Sequence, residues 1–427
     1  MMGIFKTIAQ AWGVPDIRKK ILFTLMMLLV FRLGANIPVP FINRDELSAL
    51  FAGGEGLFQF FNLFSGGAFH NFTIFALSIT PYITASIIFQ LLTIAIPALE
   101  AIAKEGTEGR KKIAQYTRYL TVVLALIQAV GMTLGLFSQV LTRNDLFSKI
   151  IVILTLTAGT AFLMWLGEKI NENGIGNGIS MIIFAGIVSR GPVAINTAIT
   201  QYQSQAVSLI TLILFVIFAL GVVVGTVEVQ QGQRRIPVQY AKRVVGRKMY
   251  GGQSSHIPIK VNQAGVIPVI FGMSILQFPL TIRAFVNDSG FTRFLDTWLS
   301  PSGQYGVWIY TGLDFILIMF FTYFYTAITF NPLEVANNMR SNGGFIPGIR
   351  PGRATVEYLQ KVMNRITFAG AVFLAVIAAM PTLIQQTTAL QISFGGTSLL
   401  IAVGVGLDTM KQLESQMVMR NYQGFLK

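Results

Sequence analysis

Ten apolar runs dominate the chain, at roughly 21–37, 72–96, 119–139, 150–167, 175–190, 207–227, 264–285, 308–330, 365–385 and 395–411. A bilayer-spanning helix needs about 20 predominantly apolar residues. Inside lipid every backbone N–H and C=O must be satisfied within the protein, which leaves helices and closed barrels. Continuous runs of this length, without the alternation of barrel strands, predict an all-α membrane protein with ten transmembrane helices. With 53% hydrophobic and 12% charged residues, the chain carries too much apolar surface for a soluble fold. The run at 175–190 is short, and 264–285 is interrupted by proline. The first run, ILFTLMMLLVFRLGA, follows IRKK as a secretory leader would, but no small-x-small cleavage site follows it, so it reads as a retained span.

Orientation follows from the loop cations. With the N-terminus in the cytoplasm, 25 of the 32 Lys and Arg fall in cytoplasmic segments and six fall outside, with Arg32 inside the first span. An even number of spans then places both termini in the cytoplasm. Two cytoplasmic loops exceed what a connector needs. Residues 228–263 alternate apolar and polar around QQGQ, which predicts a projecting β-hairpin. Residues 331–363 contain the turns of GGFIPGIRPG and then a short helical stretch. At the N-terminus, Ile4, Phe5, Ile8 and Trp12 share one face, as in an interfacial helix over 1–20.

Composition excludes several chemistries. The chain has no cysteine, so disulfides and thiolate catalysis are out. Its two histidines, His70 and His256, lie in different segments, which speaks against a histidine metal site or triad. The Gly-x-Gly of NENGIGNGIS has no preceding strand and no following Lys-Ser/Thr, so it reads as a turn opening the fifth span rather than a phosphate cradle. No paired carboxylates or nucleophile stand out; the expectation is no enzyme, no metal and no cofactor. Ionisable residues within spans are few. Arg32, Asp314 and Asp408 all lie near span ends and read as snorkelling or structural groups. The net charge of +14 is confined to loops. Arginines in the Gly- and Pro-shaped loops QRRIPVQYAKR and GIRPGR predict docking of anionic partners or RNA phosphates.

The outer segment before the second span ends in FFNLFSGGAF, which is apolar, broken by Gly66 and Gly67, and too short to cross a membrane. Broken backbone at membrane depth must pack against protein or line a cavity. The sequence therefore points to an interior space on the outer side.

FRLGANIPVP, FNLFSGGAF, ALSITPYITASIIFQLL, NGIGNGISMIIFAGIV, GQRRIPVQYAKR, GVIPVIF, FNPLEVANNMRSNGGFIPGIRPG and FGGTSLLIAVGVGLDTM together resemble, in order and over nearly the whole chain, the SecY/Sec61-alpha family of protein-translocation channel subunits, in its bacterial branch. The resemblance implies two pseudo-symmetric five-helix halves, 21–205 and 206–411, around a central pore, with a tail at 412–427. It implies a plug helix at about 57–70, including Phe61, Asn62, Leu63, Phe64, Ser65, Gly66 and Gly67. It implies an apolar pore ring of Ile79, Ile83, Ile183, Ile187, Ile270 and Ile401. A lateral gate would use Thr84, Gln90 and Gln277, and Arg234, Arg235, Lys242, Arg243 and Arg350 would dock a motor or ribosome. The implied partners are the small subunits SecE and SecG, the SecA ATPase, the ribosome, signal-bearing polypeptides and anionic lipids, at the bacterial cytoplasmic membrane. The i, i+4 spacing puts Ile79 with Ile83, and Ile183 with Ile187, on shared helix faces. Two rival readings remain open at this point: a secondary transporter with inverted repeats, and a non-conducting assembly scaffold.

Overall fold

The computed structural model describes residues 11–43, 46–47, 65–137, 140–240, 243–245, 248–250, 254–283, 290–299, 305–387 and 396–424. Every one of the ten apolar runs carries a helix. In chain order the elements are α1 (Pro15–Gly34), α2 (Thr80–Ala95), α3 (Pro97–Lys104), α4 (Thr107–Gly131), α5 (Leu146–Asn173), α6 (Gly178–Ser189), α7 (Gly191–Gln203) and α8 (Leu209–Gln231). Strands β1 (Gln233–Tyr240), β2 (Arg243–Val245), β3 (Lys248–Tyr250) and β4 (Ser254–Lys260) follow. The remainder is α9 (Ile267–Arg283), α10 (Gly290–Phe294), α11 (Gly306–Thr329), α12 (Pro332–Ser341), β5 (Gly344–Phe345), α13 (Arg353–Thr387) and α14 (Gly396–Gly424).

Six helical stretches are long and apolar enough to cross a membrane outright, and the bent pair α2–α3 makes a seventh. The other runs fall short for visible reasons. Helix α1 starts at Pro15 and so takes in Asp16, Arg18, Lys19 and Lys20. Helix α9 contains Pro279. Helix α14 continues past its apolar half into LESQMVMRNYQG. Between α2 and α3 the axis turns by 101°. Ile96, held extended (φ −110°, ψ 111°) before Pro97, makes that turn, because the residue preceding a proline avoids helical backbone.

Side chains cap the starts of α6, α8 and α12. Asn331 Oδ1 accepts from the amides of Leu333 and Glu334 at α12, and Asn177 Oδ1 accepts from Ser180 at α6. Hydroxyls within the apolar helices bond back to the preceding turn, as Thr121 does to Thr117 O, Thr226 to Val222 O and Thr322 to Ile318 O. That satisfies polar groups where no water reaches them. Helix α8 is largely uncovered and turns Ile210, Leu214, Ile217 and Leu220 outward, as a lipid-facing helix does.

The expected hairpin is present: β1 pairs antiparallel with β4, from Gln233↔Lys260 to Gln239↔Ser254. The second long loop joins it, because β5 pairs with the end of β1. Ile236, Val238, Ile259, Met339, Ile346, Leu359 and Val362 form one apolar cluster beneath this sheet. The two loops are thus a single folded unit. The short helical stretch expected after the Gly-Pro turns is the first part of α13, continuous with the ninth span.

Candidate functional site

The two halves meet where α2 touches α9 and where α6 touches α14. At that seam lie Ile79, Ile83, Ile183, Ile187 and Ile401, all buried in one apolar cluster, with the half-buried Ile270 packed against it. They come from the start of α2, from α6, from α9 and from α14. Ile79 is the residue before α2, and its carbonyl accepts the amide of Ile83 at 3.0 Å, so the pair shares a face as the spacing requires. The six residues, up to 322 positions apart in sequence, belong to or pack against that one extended cluster.

The chain entering α2 differs from expectation. The run 72–96 reads as one span, but residues before Thr80 are turns rather than helix. Phe72 (φ 43°) and Ser78 (φ 54°) adopt left-handed backbone, which interrupts any helix there. The irregular stretch is tied down: Val39 N donates to Phe72 O at 3.0 Å and Ile74 N to Ile37 O at 3.0 Å. Phe72 is fully buried, with its ring 4.1 Å from that of Phe137. Helix α5 approaches Ile74 so closely at Gly159 that a side chain there would strike the Ile74 carbonyl. Non-helical backbone at membrane depth is tolerated when protein covers it in this way. Of the expected plug residues, Phe61, Asn62, Leu63 and Phe64 lie outside the described residues. Ser65 is buried, and Gly66 (φ 62°) and Gly67 (φ 94°) form a left-handed turn. Ala68, Phe69 and Phe72, just beyond, belong to the same apolar cluster as the isoleucines.

The expected gate residues are placed differently from one another. The Thr84 hydroxyl bonds Thr80 O at 3.1 Å, and Gln90 Nε2 reaches Ser86 Oγ at 3.5 Å, both within α2. Gln277 belongs to α9, and its side chain lies outside the described residues.

On the folded loop unit, Arg234 and Arg235 are exposed at the start of β1, and Arg350 is exposed in the turn between Gly348 (φ 82°) and Gly352 (φ 103°). Thr355 Oγ1 donates to the Arg350 carbonyl at 2.9 Å and fixes that turn. Among the described residues, none of these three arginines has a carboxylate within ion-pair distance. The lysines flanking α3 and α4 behave otherwise: Lys104 pairs with Glu100, Lys111 with Glu108 and Lys112 with Glu105. Lys242 lies outside the described residues, and Arg243 begins β2 with its side chain likewise outside them.

Three ionisable groups carry information that span-end position alone did not. Asp314 is buried in α11 behind Gly272 of α9 rather than snorkelling, and its Oδ1 has no hydrogen-bond partner among the described residues. Asp408 lines a cavity of about 310 Å³ with Lys260, Lys411, Asn177, Asn262 and Gln230. Arg32 turns its guanidinium onto Gly66 O at 3.2 Å. A charged residue inside an apolar run was the one available sequence signal for Arg32, and it did not say what the charge would meet.

The SecY family model matches residues 73–410. A protein translocase subunit SecY of Streptomyces galbus is 48% identical, over 98% of this chain and 99% of the relative. One from Bacillus subtilis is 47% identical, over 99% of this chain and all of the relative. Among solved structures, a protein-conducting channel superposes with a TM-score of 0.65 at 21% identity, covering 94% of this chain and 93% of that one. Sec61 of a canine ribosome–channel complex superposes with a TM-score of 0.61 at 19% identity, covering 94% and 93%. With its full-length relatives, its matched core and its two helical halves closed over one apolar cluster, this chain belongs to the SecY family.

Proposed function

We propose that the chain is the protein-conducting channel subunit of a bacterial translocase, passing unfolded secretory polypeptides across the membrane and releasing apolar segments sideways into lipid. The observation that carries this reading is the isoleucine cluster, built from both halves at the seam between them. A narrow apolar constriction dewets and blocks ions. Because it offers no hydrogen bonds, it can deform around a peptide of any sequence without holding it. The turn at 65–67 packs against that cluster from the outer side, as the base of a plug over 57–70 would. The α2–α9 contact is the seam that would part as a lateral gate, with Thr84, Gln90 and Gln277 on its helices.

The cytoplasmic unit supplies the docking face. Its unpaired Arg234, Arg235 and Arg350 suit an acidic motor such as SecA or the phosphates of ribosomal RNA. SecE and SecG would complete the assembly, and the exposed apolar flank of α8 offers area for such helices or for lipid, with anionic headgroups at the basic inner surface. The loop-cation asymmetry supports the cytoplasmic membrane with both termini inside. No catalytic chemistry is assigned to this chain; the work of movement comes from the partner.

The test is reconstitution. The chain is placed in vesicles with the two small subunits and motor, and protection of an unfolded signal-bearing precursor from protease is measured. Protected precursor that requires ATP and an intact signal supports the reading. Uptake of small solutes without precursor protection would favour a transporter and overturn it.

A further inference from the structure

The cavity that Asp408 lines is built by both halves. Asn177 and Ser180 come from the start of α6, and Gln230 from the end of α8. Lys260 ends β4, Asn262 lies between β4 and α9, and Lys411 belongs to α14. The cavity therefore lies on the side of the folded loop unit. Its other end is the isoleucine cluster. Val405 belongs to that cluster and also lines the cavity, and Val266 and Ile267 pack against the one while lining the other. Ile401, Val405 and Asp408 follow at i, i+4 and i+7 on one face of α14.

The rim and the floor differ in chemistry. Lys260, Asp408 and Lys411 are exposed, whereas Gln230 and Asn262 are 9% and 5% exposed. Two atoms of the floor are unsatisfied: Gln230 Nε2 and Asn262 Oδ1 have no hydrogen-bond partner among the described residues. The Asn262 amide is oriented by its own bond, since Nδ2 donates to Gly265 O at 3.0 Å and leaves Oδ1 over. The Gln230 amide sits where α8 meets α14. A Cβ at Gly404 would lie 2.9 Å from Gln230 Nε2, so the missing side chain makes room for the amide.

A buried donor and a buried acceptor are costly to leave unbonded. A group that brings an acceptor and a donor side by side satisfies both, and a peptide unit is such a group. The rim, with cations and an anion, suits side chains of either sign and selects none. At about 310 Å³ the cavity is at the small end of ligand-sized pockets, which suits a short piece of extended chain.

We propose that Gln230 and Asn262 bind one peptide group of the entering polypeptide immediately before the isoleucine cluster. Gln230 Nε2 donates to a backbone carbonyl, and the backbone N–H donates to Asn262 Oδ1. This deepens the channel reading and rests on it. The apolar cluster passes a chain without bonds, and the two amides hold it one step earlier through groups that every sequence carries. Two neutral hydrogen bonds hold weakly enough to release at each step, yet they slow backward sliding while the chain waits.

The test uses the reconstituted channel and a precursor stalled by removal of ATP, whose backward release is timed. A second precursor carries ester bonds in place of amides along the stalled stretch, which removes the N–H donors. The unaltered channel is expected to release the amide precursor about two- to tenfold more slowly than the ester precursor. In Asn262→Leu the two precursors should leave alike, and Gln230→Leu should release the amide precursor several-fold faster than the unaltered channel does. Equal release of both precursors from the unaltered channel overturns the proposal and leaves the channel reading standing, with the cavity holding water alone. A difference that persists in Asn262→Leu places the contact elsewhere and overturns it too. If the unaltered channel protects no precursor, the channel reading fails and the proposal with it. Should the variants not insert, the amide and ester comparison on the unaltered chain decides.

Discussion

Phe345 in the second long loop is paired antiparallel with Gln239 in the first. That two-residue strand converts two long loops into one rigid surface, with Arg234 and Arg235 on one loop and Arg350 on the other. The joint is tight. A Cβ at Gly344 would lie 2.9 Å from both Met339 Cγ and Tyr240 Cε1. Gly344→Val should therefore separate the loops while leaving the membrane helices intact. The expected outcome is normal membrane insertion, weakened motor binding, and loss of protease resistance within 227–262. Unchanged protease resistance would show that the pairing does not hold the unit together.

Arg350 sits on a turn fixed by Gly348, Gly352 and the Thr355 bond, so its charge is presented with little freedom. Arg350→Glu should insert normally yet reduce motor-driven translocation strongly, by about tenfold or more if a charge-assisted contact of roughly 1.5–3 kcal/mol is reversed. Arg234→Glu and Arg235→Glu should each do less, because neighbouring cations share the contact. Binding measured across a salt series checks this: the arginine variants should show a shallower dependence than the unaltered chain.

At the α2–α9 seam, an amide shared between helices in lipid contributes about 0.6–2 kcal/mol. Gln90 is bonded within its own helix, so Gln90→Leu should shift gate opening by no more than the lower end of that range. Gln277→Leu should shift it further if its amide spans the seam. The readout is the minimum hydrophobicity of signal sequence that is exported. Equal, null effects of both substitutions and of the double variant would remove these residues from the gate.

On the channel reading proposed above, the clustered isoleucines and residues 57–66 act as two layers of one seal. Ile401→Asn places an amide in a fully apolar volume, where an unsatisfied polar group costs about 1–3 kcal/mol, and water entry relieves it. The expected result is ion leakage and export of precursors with defective signals. Removing 57–66 should leave a channel that translocates but conducts in bursts, and the double variant should leak more than either alone. Single-channel recording distinguishes these; non-conducting membranes for all three would show that the cluster does not line a pore.

Much of this architecture is written locally. Runs of about 20 apolar residues predict helices whatever surrounds them. Alternation around QQGQ marks the β1–β4 hairpin, and the i, i+4 spacing pairs Ile79 with Ile83 and Ile183 with Ile187. Each depends only on neighbours within a turn or a strand. Tertiary structure decided the rest. The apolar run 72–96 begins as turns, because Phe72 and Ile74 bond to Val39 and Ile37 rather than to their own helix. Asp314, near a span end by position, is buried by packing against α9. The two basic loops merge through Gln239 and Phe345, and Arg32 meets Gly66 and Ser189. Apolar character says that a residue will leave water, not which distant surface it will leave water against. Ile79 and Ile401 come together only when the whole chain closes around them.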